Sequence, residues 1–154
     1  KALVGNLSIK ENVLLSCIDR YAKHGYLDEK KEKQDVSEKA EALKIRMTGL
    51  DQRIIELSGG NQQKAVFAKA LMTNPKVFLC DEPTQAVDIM TRNEIHKLLR
   101  AKADAGNAVV YVSSDLKEIL EVADTIQLVV QGETRQLLVN ENLTTTEVLS
   151  YCYE

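Results

Sequence analysis

The sequence has no tryptophan, only two prolines, and aromatic residues at just 5% of its 154 positions. No apolar run approaches the roughly 20 residues that a membrane-spanning helix needs, and no signal-peptide pattern opens the chain. The net charge is −3, from 20 basic and 23 acidic residues, so the basic footprint typical of nucleic-acid binding is missing. We therefore predict no nucleic-acid partner and no direct membrane insertion. The apolar content of 44% indicates a globular domain with a real core.

Cysteine and histidine are also scarce. Cys17, Cys80 and Cys152 are odd in number and lack the spacing of metal ligands, so we interpret them as reduced cytosolic thiols. Cys80 lies in an apolar run and is predicted to be buried. His24 and His96 stand alone in the sequence, and we expect each to be a surface histidine and not a ligand or a base.

Two adjacent glycines mark the most informative stretch, LSGGNQQK at residues 57–64. Gly59 and Gly60 lack a Cβ, which lets the backbone approach a ligand closely. The apolar periodicity of residues 62–72 predicts a helix directly behind them, whose free N–H groups and positive dipole end would face Ser58, Gly59 and Gly60. The sequence therefore predicts a phosphate site at this turn.

A second informative stretch follows this helix. Asn74 and Pro75 end the helix, and the apolar run at residues 76–80 has the length of a strand. Asp81 and Glu82 come directly after it. Folds of the α/β class place ligands and metals at the carboxyl ends of their strands, so we predict a functional site at these two carboxylates.

The order LSGGNQQK and then VFLCDEPT resembles the signature and Walker B motifs of an ABC-type ATPase. The ending NQQK is similar to the second nucleotide-binding domain of the bacterial tandem ATPases that drive sugar import. The resemblance covers most of the chain and is specific in the middle, but weaker in residues 1–50 and beyond about residue 125.

A P-loop of the form GxxxxGK[ST], which such an ATPase needs for the β- and γ-phosphates, is missing, since none of the seven glycines opens one. We therefore expect the chain to be the C-terminal portion of a nucleotide-binding domain. In the complete protein the cofactors implied by the resemblance are ATP and Mg²⁺.

The resemblance implies roles for the two carboxylates. Asp81 would hold Mg²⁺ through coordinated water, and Glu82 would be the base that orients the attacking water. The alternative is a solvated acidic turn after a strand, which the presence of the signature motif disfavours.

The resemblance also implies that Ser58, Gly59 and Gly60 bind a γ-phosphate held by the opposite domain, because two such domains enclose two nucleotides head to tail. Gln62 either adds a ligand contact or is a first-turn surface residue. Asp88 resembles the acidic residue of the loop that crosses the domain interface, and it could equally be a helix-entry aspartate.

Two departures from the family pattern stand out. Ser114 occupies the switch position after the next strand, where the family usually has a histidine that reaches the γ-phosphate. Serine is shorter and uncharged, which puts the hydrolytic competence of the local site in doubt. In the loop of residues 85–90, Ala86 and Met90 stand where the sugar-type pattern commonly has glycine, and this loosens the sugar assignment.

The predicted fold is α/β, a partial P-loop NTPase (ABC ATPase) fold with parallel strands and crossover helices. Residues 1–57 are predicted to form a helical subdomain. A capping box at Ser8 and Glu11 opens its first helix, which Gly25 is expected to end. The charged stretch 28–39 is interpreted as a solvated helix face or a mobile connector. A second helix is predicted from the spacing of four apolar residues: Val36, Ala40, Leu43 and Met47.

Residues 58–154 are predicted to form the C-terminal part of the ATPase core. A capping box at Thr91 and Glu94 opens a helix that buries Ile95, Leu98 and Leu99 and ends before Gly106. Residues 108–112 are predicted to be a strand, and the segments 125–131 and 133–139 a β-hairpin around Gly132. Further helix caps are expected at two pairs of residues, Asp115 with Glu118 and Thr144 with Glu147.

We interpret the chain as part of the ATP-binding and hydrolysing subunit of an ABC importer, for a sugar, on the inner face of the cell membrane. Its partners would be a second ABC ATPase domain and transmembrane permease subunits, against which the helical subdomain rests. By itself the chain is not expected to hydrolyse ATP. The alternatives are a non-catalytic module that donates its signature motif to a partner's ATP site, and a cytosolic ABC ATPase without a transporter.

Overall fold

The computed structural model describes residues 2–23, 26–85 and 87–153. The predictions made for His24, Gly25 and Ala86 lie outside these residues. The helices of the described part are α1 (Ile9–Leu14), α2 (Glu29–Ala42), α3 (Gly59–Met72), α4 (Ile89–Asp104), α5 (Leu116–Val122) and α6 (Thr145–Tyr153), with 3-10 turns at Ile18–Tyr21 and Ile54–Glu56. The strands are β1 (Ala22–Lys23), β2 (Tyr26–Leu27), β3 (Val77–Asp81), β4 (Ala108–Val112), β5 (Thr125–Val130) and β6 (Glu133–Val139).

The first helix begins as predicted but is shorter. The Ser8 side chain accepts the Glu11 N–H and the Glu11 side chain accepts the Ser8 N–H, so the capping box is confirmed. The helix ends at Leu14, and the expectation that it continues towards Gly25 is wrong. A 3-10 turn follows, which points Tyr21 into the core and leaves Ile18 45% exposed. The short antiparallel pair β1–β2 then follows, so residues 1–57 are not entirely helical.

The charged stretch forms one helix with the apolar residues behind it. Asp28 is the N-cap of α2 and accepts the Lys31 N–H, and the helix runs through the buried Val36 and Ala40. Of the two interpretations of residues 28–39, the solvated helix face is confirmed and the mobile connector is wrong. The second helix is confirmed at Val36 and Ala40. Its extension to Met47 is wrong, because α2 ends at Ala42 and Lys44 adopts a left-handed backbone with φ of 52°.

The part of the chain from α1 to α3, here called the helical region, has an apolar core to which all three helices contribute. Helix α3 also buries Phe67 in a second cluster beneath the sheet, so one helix packs on both sides of the predicted boundary at residues 57 and 58. The buried members of the first cluster are Ile9, Val13, Leu14, Cys17, Tyr21, Val36, Ala40, Ile45, Ile54, Leu57, Ala65, Ala68 and Met72.

Strands β3 and β4 are parallel, with α4 as the crossover helix, as predicted. Their register pairs Val77 with Ala108 and Asp81 with Val112, so both strands end at the same edge. One face of the pair packs Phe78 and Cys80 against α4, which confirms the buried Cys80. On the other face, the apolar side chains Val77, Leu79, Val110 and Val112 are exposed.

Helix α4 starts earlier than predicted. Its N-cap is Asp88, whose side chain accepts the Thr91 N–H, so the capping box assigned to Thr91 and Glu94 is wrong. The buried face with Ile95 and Leu99 is confirmed. The helix ends as predicted before Gly106, whose φ is 88°. The N–H of Gly106 bonds to Ala103 O and that of Asn107 to Lys102 O, which is a Schellman motif.

The C-terminal elements follow the predictions. Strands β5 and β6 form an antiparallel hairpin whose turn residues, Gln131 and Gly132, both have positive φ. Asp115 caps α5, and Thr144 exchanges hydrogen bonds with Glu147 at the start of α6. Helix α6 packs on the hairpin through the buried Val148. Within the residues described, no helix is both long and apolar enough to span a membrane.

Candidate functional site

The turn before α3 presents an uncapped helix N-terminus. Ser58 is the N-cap residue, but its side chain caps no backbone N–H. Its Oγ instead accepts a hydrogen bond of 2.9 Å from Asn61 Nδ2, and the residue is exposed. The first N–H groups of a helix have no intrahelical partner. The turn thus offers backbone donors and a positive dipole end to an anion from outside.

The two glycines of this turn have different surroundings. A Cβ on Gly59 would meet nothing within 4 Å, so this glycine faces open space. A Cβ on Gly60 would lie 2.9 Å from Thr91 Oγ1 and 3.3 Å from Asp88 Oδ2. Gly60 therefore permits the close approach of α3 to the start of α4, whereas Gly59 leaves room for a ligand.

The polar side chains behind the glycines bind the chain's own backbone. Gln62 Nε2 donates to Leu57 O at 2.9 Å and is part-buried, so its amide nitrogen is engaged inside the molecule. Gln63 Nε2 donates to Pro83 O at 2.7 Å. This bond attaches α3 to the loop that follows Glu82, and so links the two motifs that the sequence presents separately.

Glu82 contacts the switch position directly. Asp81 ends β3 and is exposed, and the Glu82 N–H continues the ladder by donating to Val112 O at 2.9 Å. Glu82 Oε1 accepts the Ser114 N–H at 2.7 Å. Glu82 has a left-handed backbone, with φ of 43°. The sequence treats Glu82 and Ser114 as separate candidates, and the shared edge of two parallel strands is the signal that places them together.

Asp88 is the N-cap residue of α4, which agrees with its interpretation as a helix-entry aspartate. Its two carboxylate oxygens accept the Thr91 N–H and the Thr91 hydroxyl, each at 2.9 Å. These two hydrogen bonds lower the pKa of Asp88. Asp88 is therefore a charged, exposed carboxylate beside Gly60, at the junction of α3 and α4.

Sequence reasoning missed a buried polar network beneath the Glu82–Ser114 contact. At its centre, Glu118 is 3% exposed. Its Oε1 accepts from Thr84 Oγ1 at 2.6 Å and from Tyr111 OH and His96 Nε2, both at 2.8 Å, and its Oε2 accepts from Ser113 Oγ at 2.9 Å. The surface position expected for His96 is wrong, because its side chain is 12% exposed and bonded to this carboxylate.

The network sets the ionisation of its members. Burial by itself would raise the pKa of Glu118, but the hydrogen bonds from its four donors outweigh burial and hold that pKa below its ordinary value. Burial and the neighbouring Glu118 carboxylate raise the pKa of Tyr111. Arg92 adds positive charge nearby, with Nε 3.8 Å from Glu118 Oε1 and Nη1 3.7 Å from Asp115 Oδ2. Glu118 is therefore an anion at neutral pH.

The structure thus groups the predicted residues in two places. Glu82 and Ser114 meet at the edge of the sheet, and Gly60 meets Asp88 at the start of α4. No hydrogen bond within the described residues joins Ser58 to Asp81 or Glu82. The described part of the chain also has no cluster of three or more His, Cys, Asp or Glu residues able to hold a metal.

Comparison with known proteins gives a consistent result. The family model described as ABC transporter matches residues 1–85. A xylose import ATP-binding protein, XylG, of Paraburkholderia xenovorans is 39% identical over 96% of this chain and 28% of its own length. The ribose import ATP-binding protein RbsA of Oceanobacillus iheyensis is 36% identical over 98% of this chain and 30% of its own length. The chain thus spans less than a third of these curated relatives.

Solved structures share the fold. A dimeric bacterial ABC transporter cassette superposes with a TM-score of 0.78 at 27% identity, over 92% of this chain and 60% of that chain. A post-hydrolysis state of that cassette, bound to ADP and Pi, gives a TM-score of 0.77 over the same shares. The prediction of an α/β, partial P-loop NTPase fold is confirmed.

Proposed function

Because the chain belongs to the ABC transporter family, we propose that it forms the signature, Walker B and switch part of a nucleotide-binding domain that drives the import of a sugar. The observation that carries this proposal is the contact between Glu82 and Ser114. It places a carboxylate and the switch position at the carboxyl edge of two parallel strands, where folds of this class bind their ligands.

The residues present fit a nucleotide and its metal. Gly59 has open space on its Cβ side, and the uncapped helix N-terminus beside it is suited to a phosphate. Asp81 is exposed at the strand end, where it would hold Mg²⁺ through water. ATP supplies the phosphoryl group, and bound Mg²⁺ neutralises charge that develops on it. Glu82 orients the attacking water and takes up its proton.

The signature turn acts on a nucleotide held by a second domain. Ser58 is exposed and makes no hydrogen bond to Asp81 or Glu82 within the described residues. The cassette that shares this fold is dimeric, which supports a facing domain as the holder of the γ-phosphate that Ser58, Gly59 and Gly60 would bind. Asp88, charged and adjacent to Gly60, lies at the same interface. Because its 154 residues contain no P-loop, the chain alone should not bind micromolar Mg-ATP in a calorimetric titration.

The transport role follows from the relatives. Two of them are named for xylose and ribose import, which supports a sugar as the cargo of the whole protein. The helical region then rests against transmembrane permease subunits at the inner face of the cell membrane. ATP binding closes the pair of nucleotide-binding domains, hydrolysis reopens it, and the helical region transmits this motion.

The test of Glu82 uses the full-length protein. Glu82→Gln keeps the shape of the side chain but removes the charge, so ATP binding should persist while turnover falls by at least about a hundredfold. The variant should also trap the closed pair of domains, which size-exclusion chromatography with ATP would detect. Unchanged turnover and unchanged dimer lifetime would show that Glu82 is not the base, or that the local site is silent.

A second substitution in the full-length protein tests the alternative function, a non-catalytic module that completes its partner's ATP site. Ser114 favours this alternative, because its side chain is too short and uncharged to replace the family's histidine. Ser114→His separates the two functions. It should increase nucleotide turnover at the local site only if that site is otherwise intact, and it leaves a degenerate site silent.

The assignment of Ser58 to the facing nucleotide is tested with Ser58→Arg. Because Ser58 is exposed, the variant should fold with an unchanged melting temperature, while the bulky side chain blocks closure. Nucleotide trapping is then measured separately at the two sites of the full-length protein. Trapping should be lost at the site whose P-loop belongs to the partner domain. Loss confined to this domain's own P-loop site would refute the assignment, and Ser150→Arg, at an exposed serine in α6, is the control.

A further inference from the structure

The buried carboxylate of Glu118 receives hydrogen bonds from four separate parts of the fold. Thr84 lies in the loop two residues after Glu82, and Ser113 directly precedes Ser114. His96 comes from the middle of α4, and Tyr111 from β4. Glu118 itself lies in the first turn of α5, which Asp115 caps by accepting the Lys117 and Glu118 N–H groups. One side chain thus joins both loops that carry the candidate site.

We propose that Glu118 is a positioning residue for nucleotide hydrolysis, which fixes the separation of the Glu82 loop and the Ser114 loop and thereby holds Glu82 in place. This inference rests on the proposed function, because it assigns Glu118 a role in the reaction of the same site. Glu118 does not touch the reacting atoms. It acts through Thr84 and Ser113, each of which neighbours a residue of the site.

Each oxygen of the Glu118 carboxylate accepts a hydrogen bond from a different loop. Oε1 accepts the Thr84 hydroxyl at 2.6 Å, and Oε2 accepts the Ser113 hydroxyl at 2.9 Å. The span between the two loops is therefore the width of one rigid carboxylate. The Ser113 hydroxyl also accepts the Asp115 N–H at 3.1 Å, which fixes the backbone on the other side of Ser114. Ser114 is left with little freedom, and its N–H points at Glu82 Oε1.

A carboxylate suits this arrangement because Thr84 and Ser113 both donate to it. An amide has one accepting oxygen and one donating NH₂ group. Glu118→Gln therefore replaces one charge-assisted hydrogen bond by a weaker neutral one, in which a loop hydroxyl has to turn and accept. Tyr111 and His96 bond to Oε1 alone. They stabilise the charge without linking the loops.

A positioning role differs from a purely stabilising one in what it changes. A displacement of the base by about 1 Å is expected to lower turnover by up to about a hundredfold without weakening ground-state binding. Loss of a purely stabilising contact lowers the melting temperature and leaves the turnover of the folded protein unchanged. The two roles are therefore separated by kcat, by KM for ATP and by local hydrogen exchange at Ser114.

The experiment compares four variants of the full-length protein. Glu118→Gln weakens the link, and Ser113→Ala removes one donor in a less buried place, which keeps the test valid if Glu118→Gln folds poorly. Glu121→Gln removes the same charge from an exposed position of the same helix and is the matched control. Val36→Ala destabilises the apolar cluster of α1, α2 and α3, whose members include no residue of β4 or α5, and controls for stability loss alone.

Mg-ATPase kinetics, melting temperature and hydrogen exchange of the peptide containing Ser113 and Ser114 are measured for each variant. Glu118→Gln should lower kcat roughly tenfold or more, with KM for ATP nearly unchanged, and should accelerate exchange in that peptide. Ser113→Ala should change both in the same direction by less. Glu121→Gln should match the wild type, and Val36→Ala should lower only the melting temperature.

The inference is overturned if Glu118→Gln and Ser113→Ala leave either kcat or the exchange of this peptide unchanged. An active wild type combined with that result would leave the proposed function intact. A full-length wild type without nucleotide hydrolysis would instead refute the catalytic function, and the role of Glu118 with it.

Discussion

The helical region and the edge of the sheet are held together by different interactions. In the helical region, thirteen buried residues from α1, α2, α3 and their connections form one apolar cluster. At the sheet edge, the loops around Glu82 and Ser114 are joined by hydrogen bonds to one buried carboxylate. The exposed face of β3 and β4 carries apolar side chains that none of the described residues cover.

The difference shows that the sheet edge requires side chains at defined distances and angles, whereas the helical region requires only that its interior volume be filled. Apolar packing is non-directional and roughly proportional to buried area, so it gives a stable support without fixing any single atom. Hydrogen bonds to a carboxylate fix distances and angles. The candidate site accordingly lies where the polar network is, and the apolar cluster supports α3, whose N-terminus is proposed to bind the phosphate.

The largest effect is expected from breaking the apolar cluster. Leu14 is 1% exposed, and Leu14→Ala should destabilise the chain by about 2–5 kcal/mol through lost burial and the remaining cavity. Leu79 is 75% exposed on the open face of β3, and Leu79→Ala should change stability by less than about 0.5 kcal/mol. Urea denaturation of both variants checks the contrast. Equal losses would show that the open sheet face is covered in solution.

A smaller effect is expected at the junction of the two regions, where the glycine pair gives a matched comparison. Gly60→Ala would place a methyl group 2.9 Å from Thr91 Oγ1 and should destabilise the chain by about 1–3 kcal/mol. Gly59→Ala meets no atom within 4 Å and should be neutral or stabilising by up to about 1 kcal/mol. Thermal unfolding of both variants measures the difference. A larger loss for Gly59→Ala would contradict the described packing of α3 on α4.

The smallest effect is the pH dependence of the polar network. The pKa of Glu118 is lower in the folded chain than the value of about 4.3 expected when it is unfolded. Its stabilisation is therefore complete above the unfolded pKa and is lost as the pH falls through the folded pKa. The stability difference between wild type and Glu118→Gln should be constant from pH 7 to about pH 5 and should shrink below the unfolded pKa. A stability difference that grows on acidification would show that folding raises the pKa of Glu118 and does not lower it.

Much of the fold is predictable because its signals are local. The capping boxes at Ser8 and Thr144 depend on residues three positions apart, and the turn at Gly132 depends on a backbone conformation that favours glycine. The same local rule failed at Thr91. Asp88 stands upstream at an equally suitable spacing, and its stronger acceptor captures the Thr91 N–H and hydroxyl.

The site was predictable in part, and what was missed is non-local. Asp81, Glu82 and Ser114 follow strands that the sequence marks clearly, so their common edge could be expected. His96 and Glu118 are 22 positions apart, and they meet at the hydroxyl of Tyr111, with which both form a hydrogen bond. The sequence predicted Glu118 as a helix-cap partner of Asp115 from spacing alone. In the structure Ser113 Oγ accepts the Asp115 N–H instead, and the Glu118 carboxylate bonds to the network. The short β1–β2 pair has too few residues for any periodicity to appear.

The left-handed backbone of Glu82 affects which residues are tolerated at this position during evolution. A non-glycine residue in this conformation costs about 1–2 kcal/mol, so Glu82→Gly would relieve strain while deleting the carboxylate. At position 82, conformational stability therefore favours glycine, whereas the proposed chemistry favours glutamate. A lineage that no longer needed the carboxylate would gain stability by losing it, so glutamate at position 82 is the residue that the proposed reaction favours and folding does not.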